Sequence, residues 1–180
     1  MRLDKIVQIS ILSIVVVAII TLSAFFVSRR INNANITCNK IVSYVNNNYE
    51  MLENFPYSEI EKIKFSNDNP EIKKQKEEEF LKRHLGENTI VTSVYAYNEN
   101  ILQFYCGGSG FLDAGIYTGF YFSRDDTPYA FEFNNLELVE VSPGVFEGQD
   151  ENGAQQSHGG HRICTGKIRD KWYYYIQYWY

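Results

Sequence analysis

Three hydrophobic patterns follow one another along the chain. The first is an unbroken run from Ile6 to Val27, IVQISILSIVVVAIITLSAFFV, 22 residues without a charge. At about 1.5 Å per residue such a helix spans about 33 Å, matching a hydrocarbon core of about 30 Å. The second pattern is helical. Ile41, Val45, Tyr49 and Leu52 recur at helical spacing, flanked by Val42, Tyr44 and Phe55. Ser58-Glu-Ile-Glu61 has capping-box spacing and predicts a short helix through Ile60, Ile63 and Phe65. A longer helix is bracketed by Asn69 as cap, Pro70 at the first helical position and Gly86 as stop. Its narrow apolar stripe is Ile72, Phe80, Leu81 and Leu85, and oppositely charged residues four apart make the other face a solvated one.

The third pattern begins near Asn88 and has the period of strands. TIVTSVYAY and ILQFYC flank Asn98-Glu-Asn100; GIYTGFYFS and YAFEF flank a turn at Arg124–Pro128; LELVEV and VFEGQ flank Ser142-Pro-Gly144. A polar loop, DENGAQQSHGG, leads to HRICTGKI and then to the closing stretch KWYYYIQYWY. With no room for crossover helices, these eight candidate strands are expected to pair antiparallel in a meander. The predicted fold is α+β: an N-terminal anchor over 1–30, then one domain over 31–180 with short helices in 38–86 and a sheet in 88–180.

The closing strand is where pattern and function meet. Trp172, Tyr174, Ile176, Tyr178 and Tyr180 fall on one side, and Tyr173, Tyr175, Gln177 and Trp179 on the other. A half-solvated strand should alternate with polar residues, and this one does not. It is therefore either covered on both faces or presents an aromatic surface. Tyr173, Tyr175 and Trp179 are the residues expected to bind a ligand on the second alternative.

Charge narrows the partners. Residues 31–180 hold 13 Lys and Arg against 21 Asp and Glu, and between 88 and 161 Arg124 stands alone against ten acids. Such a surface repels nucleic acid and anionic lipid, so neither is expected as a partner of the domain. The membrane contact is expected through 6–27 alone. The run continues through Ala24, Phe25, Phe26 and Val27 without a break, which reads as an uncleaved anchor. Basic residues flank both ends of it, Arg2 and Lys5 on one side and Arg29, Arg30 and Lys40 on the other. Because long domains translocate largely regardless of charge, the domain is expected outside the cell membrane.

Candidate chemistry is sparse. His158-Gly-Gly-His161 with Cys164 has the look of a metal-ligand string, but a zinc site wants three or four protein ligands and no second half-site exists. No cofactor is expected. Cys106-Gly-Gly-Ser-Gly110 would suit a thiol nucleophile only with His158 or His161 in reach as a base. Three cysteines leave at least one outside any internal pair; Cys106 and Cys164, both in strands, could bridge, or all could be free and buried. Asp125-Asp126 fits a turn beside Pro128 without any chemistry.

GFYFSRDDTPYAF (Gly119–Phe131) and KIRDKWYYY (Lys167–Tyr175) resemble segments of a loose group of small, membrane-anchored bacterial proteins of unknown function. In that group a Gly-Phe-Tyr-Tyr-Ser-x-Asp-Asp-x-Pro hairpin precedes a Gly-rich acidic loop and a closing Asp-x-Trp-Tyr-Tyr-Tyr strand. Here the positions are Gly119, Phe120, Tyr121, Ser123, Asp125, Asp126 and Pro128, then Asp170, Trp172, Tyr173, Tyr174 and Tyr175, with Phe122 replacing the second Tyr. The His-Gly-Gly-His loop departs from the group's pattern. The resemblance implies an N-terminally anchored domain and transfers no catalytic residue.

The expectation is a single-pass membrane protein with an extracytoplasmic, non-catalytic domain that binds or senses a surface protein or a wall polysaccharide. The alternative is a cell-envelope hydrolase using Cys106 or His158 and His161. For an external domain, a membrane-impermeant maleimide applied to intact cells is expected to label Cys38 without permeabilisation, with Cys106 and Cys164 reacting only after denaturation and reduction. Labelling that requires permeabilisation would place the domain in the cytosol.

Overall fold

The computed structural model describes residues 37–179 apart from 112–113, 132–135 and 150–159. The apolar run 6–27, His158 and Tyr180 lie outside the described residues, and no described helix is long and apolar enough to cross a membrane. The chain divides into Met1–Thr37 and a compact unit Cys38–Tyr180; the second is described here.

Helix α1 covers 37–47 and is separated from α2 (Tyr49–Glu53) by Asn48, whose side-chain amide donates to the Tyr44 carbonyl at 2.8 Å. An Asn amide that takes a backbone acceptor competes with the helix, so the one predicted helix becomes two. Helix α3 (Tyr57–Lys64) starts one residue before Ser58, and no side chain caps it. The predicted capping box therefore does not form. Helix α4 (Pro70–Leu85) starts and stops as its sequence signals require. Asn69 accepts from the Ile72 amide at 2.9 Å, and Gly86 leaves the helix at φ +85°.

Seven antiparallel strands form one sheet: β1 (Ser93–Ala96), β2 (Ile101–Phe111), β3 (Ala114–Ser123), β4 (Val139–Ser142), β5 (Val145–Gln149), β6 (His161–Arg169) and β7 (Trp172–Trp179). Their order across the sheet is β1-β2-β3-β7-β6-β5-β4. The α+β class with an antiparallel sheet is thus present, but not as one eight-strand meander. There are two meanders, β1–β3 and β4–β7, that meet where β3 pairs with β7. The eighth expected strand, YAFEF, is absent in the described residues 129–131. Tyr129 donates its amide to the Tyr121 hydroxyl at 2.9 Å instead of to a strand, and Phe131 sits at φ +52°.

The register of β3 on β7 puts Phe120 beside Tyr174, Tyr121 beside Tyr173 and Phe122 beside Trp172. One face of these strands, with Phe104, Phe120, Trp172 and Tyr174, packs under the helices against Ile41, Val45, Ile60, Phe80 and Leu81. Phe104 and Phe120 stack at 4.7 Å, 7° from parallel. The other face carries Ile101, Tyr121, Ile163, Tyr173 and Tyr175, and the β3–β4 connector covers it with Tyr129, Phe131, Leu136 and Leu138. The Tyr121 hydroxyl lies 2.8 Å from that of Thr165. Because Thr165 spends its proton on the Tyr174 carbonyl, Tyr121 donates to Thr165. Burial pushes the Tyr121 phenol well above its usual range, so it stays protonated and able to donate.

Asp126, at φ +54°, ties the β3–β4 connector to the β6–β7 hairpin. Its carboxylate accepts from Lys167 Nζ at 2.6 Å, from the Lys171 amide at 2.8 Å and from the Tyr173 hydroxyl at 3.1 Å. These donors, Lys167 first, hold the carboxyl below its ordinary range. A depressed carboxyl stabilises the fold above its unfolded value of about 4, and that contribution is lost as the pH falls through the folded value. Asp126→Asn is therefore expected to cost about 1–2 kcal/mol at pH 7 and to flatten the loss of stability below about pH 4. Thermal melts from pH 7 down to pH 2 check this; an unchanged profile would contradict it.

Candidate functional site

The expected ligand-binding residues do not form one surface. Tyr175 is 0% exposed and Tyr173 2%, both under the Phe131 cap, with Phe131 and Tyr175 rings 4.8 Å apart. Tyr175 also accepts from Gln103 Nε2 at 2.8 Å. Their role is that of core, for the reason that a strand without polar alternation allows: it is covered on both faces. Trp179, the last described residue of β7, is the half-buried member.

The structure gathers other aromatics beside Trp179. On the capped face, Tyr95 and Tyr97 of the first hairpin, Gln103 and Tyr105 of β2 and Tyr117 of β3 line an open groove of about 490 Å³, and Tyr97 also packs against Tyr129 and Phe131 of the connector at 5.2 and 5.8 Å. Tyr95 is 47% exposed and Tyr117 40%. Tyr117 packs edge-on to Trp179 at 6.0 Å and lies 6.3 Å from Tyr105. Glycine makes the floor. A Cβ at Gly108 would come within 2.9 Å of both the Tyr105 hydroxyl and the Tyr117 ring. The bulge between Tyr105 and Gly107, with Gly107 at φ +120°, brings Gly108 opposite Tyr117 in the ladder.

Among the described residues, no ionised side chain lines this groove. Lys64 lies at its edge, its ammonium 3.6 Å from the Tyr95 ring centroid and held by Glu77 at 3.2 Å. Burial pushes the Tyr105 phenol up, so at neutral pH it offers a hydroxyl rather than a phenolate. The groove therefore offers ring faces, hydroxyls and the Gln103 amide. A second cavity of about 490 Å³ lies among Tyr57, Glu61, Asn98, Leu102 and Arg124. The Tyr57 hydroxyl at its wall is already bonded by the Ala96 amide at 3.1 Å.

The residues of the hydrolase alternative lie apart. Cys106 packs into the helix-side core, whereas His161 is beside Trp179 on the opposite face, and β3 and β7 stand between their strands. Burial raises the Cys106 thiol to about 12, the reverse of what a nucleophile needs. His161 packs edge-on against Trp179 at 4.4 Å. Among the described residues no group of three metal-ligating side chains occurs. The proposed Cys106–Cys164 bridge is excluded by the same order of strands: three strand spacings of about 4.8 Å separate them, while a disulfide needs Cα atoms within about 7 Å.

The groove was legible only as period-two placement of Tyr95, Tyr97, Gln103 and Tyr105. What hid it was the cap, since no sequence pattern says where the connector stops. Comparison with known proteins finds no matching family model, curated protein or solved structure.

Proposed function

We propose that the chain is a single-pass membrane protein whose external domain is a non-catalytic binding module, with the tyrosine groove between β1 and β3 taking up a neutral segment of wall polysaccharide. The observation that carries this is the groove itself: half-exposed tyrosines with one amide and, among the described residues, no ionised side chain in its lining. A sugar ring has apolar C–H faces and a rim of hydroxyls. Flat aromatic rings take the first, and Tyr hydroxyls and a Gln amide take the second. The acidic excess of the domain disfavours polyanionic partners. The uncharged run 6–27 supports the anchor, and the length of the following domain supports export. The resemblance to small anchored proteins agrees with this arrangement.

Full-length protein in detergent, titrated with a neutral β-linked hexasaccharide of N-acetylglucosamine, is expected to show saturable quenching of Trp179, which packs against Tyr117. Tyr117→Ala is expected to weaken binding at least about tenfold, a loss of about 1.4 kcal/mol, while moving the melting temperature by only a few degrees. Failure of the wild type to bind this or any other neutral wall glycan would sink the reading. Capture of a surface protein through the same tyrosines would replace the glycan with a protein ligand.

A further inference from the structure

We propose that Cys38 and Cys164, both free thiols in this structure, bridge under oxidising conditions to staple α1 to β6 and leave Cys106 as the free thiol. The two cysteines face each other from opposite layers. Cys38, Ile41 and Val45 share one stripe of α1, and Ile41 and Val45 are buried against the sheet. Cys164 pairs with Ile176, which alternation places on the same face of β7 as Trp172 and Tyr174, the face under the helices. Tyr44, about a third of a turn round α1 from Cys38, reaches the other way, to Phe120 of β3 at 6.0 Å. Helix α1 thus lies above β7, with one flank toward β3 and the other toward β6.

The levels are also close. The Arg169 guanidinium at the end of β6 lies 3.2 Å from the Tyr49 ring centroid and fixes one end. From Tyr49 back to Cys38 is eleven residues, about 16 Å of helix. From Arg169 back to Cys164 the bulge at Lys167–Arg169 leaves four ladder steps, from Trp172 to Ile176, about 13 Å of strand. Tyr174 marks the meeting point: its ring leans over β6 at Gly166, where a Cβ would collide with it. Burial first, and then both Cys164 and Cys38, push its phenol up to about 12. The Cys38 thiol is itself raised to about 11 by burial and by Cys164.

Bridge formation is thiol–disulfide exchange. A Cys38 or Cys164 thiolate attacks a disulfide-bearing oxidant, the mixed disulfide is resolved by the other cysteine, and the oxidant leaves as two thiols with the two protons and two electrons. High thiol pKa values make both cysteines poor attackers, which suits a structural staple rather than a cycling redox centre. The bridge would close most of the domain in one loop and so restrict the unfolded chain strongly.

Full-length protein in detergent is incubated with oxidised glutathione, alkylated under denaturing conditions and digested without reduction. Mass spectrometry is expected to find the Cys38 peptide joined to the Cys164 peptide, with Cys106 alkylated. The oxidised form is expected to melt at least about 5 °C above the reduced form. Cys106→Ser is expected to keep the linkage, and Cys38→Ser and Cys164→Ser to lose both linkage and shift. Cys38 and Cys164 both alkylated after oxidation, or Cys106 found in the bridge, would overturn the proposal. The mapping on the wild type decides the matter even where a variant fails to fold.

Discussion

One pairing holds this domain together: β3 against β7, from Gly115–Trp179 to Phe122–Trp172. Each half of the sheet is an ordinary meander of local hairpins. Only this ladder joins them, and it does so across about fifty residues of chain. Its stability comes from burial on both faces at once. Phe120, Trp172 and Tyr174 enter the helix layer while Tyr121, Tyr173 and Tyr175 enter the cap layer. A long-range contact of this kind has to offset a large loop-closure entropy, and fully buried aromatic side chains supply that compensation. The Asp126 clamp fixes the same junction from the end, joining the turn after β3 to the turn before β7. Gly119–Phe122 and Trp172–Tyr175 are the two sides of this ladder.

The same ladder decides where a binding surface can be. Tyr175 and Tyr117 lie on one face of one sheet, yet one is core and the other is half exposed. The difference is what packs on each ring: Phe131 lies 4.8 Å from Tyr175. Among the covered residues Tyr121 and Tyr173 stack at 5.3 Å, and their hydroxyls and that of Tyr175 are bonded to Thr165, Asp126 and Gln103. Tyr95 and Tyr117 stay exposed, Tyr117 lying over Gly108 and Gly115. Aromatic content is therefore a poor guide to function here, and coverage is a good one.

Local signals were readable in advance. The Asn69 cap, Pro70 and Gly86 bounded α4 because each acts on its own backbone neighbours. VFEGQ, HRICTGKI and the closing aromatic run emerged as β5, β6 and β7 because the turns between strands are set by Gly144 and by Asp170-Lys171. Two local signals misled, the Ser58 capping box and the unbroken helix across Asn48, and the other failures were non-local. YAFEF has the composition of a strand, but the Tyr121 hydroxyl claims the Tyr129 amide, a competition that only the folded chain displays. Cys106 and Cys164 sit in strands that the expected meander leaves free to approach, whereas the β3–β7 junction inserts two strands between them. For Tyr173 and Tyr175 the sequence leaves a covered and an open face as alternatives, because alternation defines two faces without saying which is covered. Only Trp179, at the rim, keeps its place near the site.

One tyrosine-rich face thus holds both a sealed core, Tyr121, Tyr173 and Tyr175, and the exposed Tyr95 and Tyr117. Nitration of the folded protein with limiting tetranitromethane, read by peptide mass spectrometry, tests it directly. The account predicts modification of Tyr95 and Tyr117 in the native state, with Tyr121, Tyr173 and Tyr175 modified only after denaturation. Nitration of Tyr173 and Tyr175 at the rate of Tyr117 in the native state would contradict it.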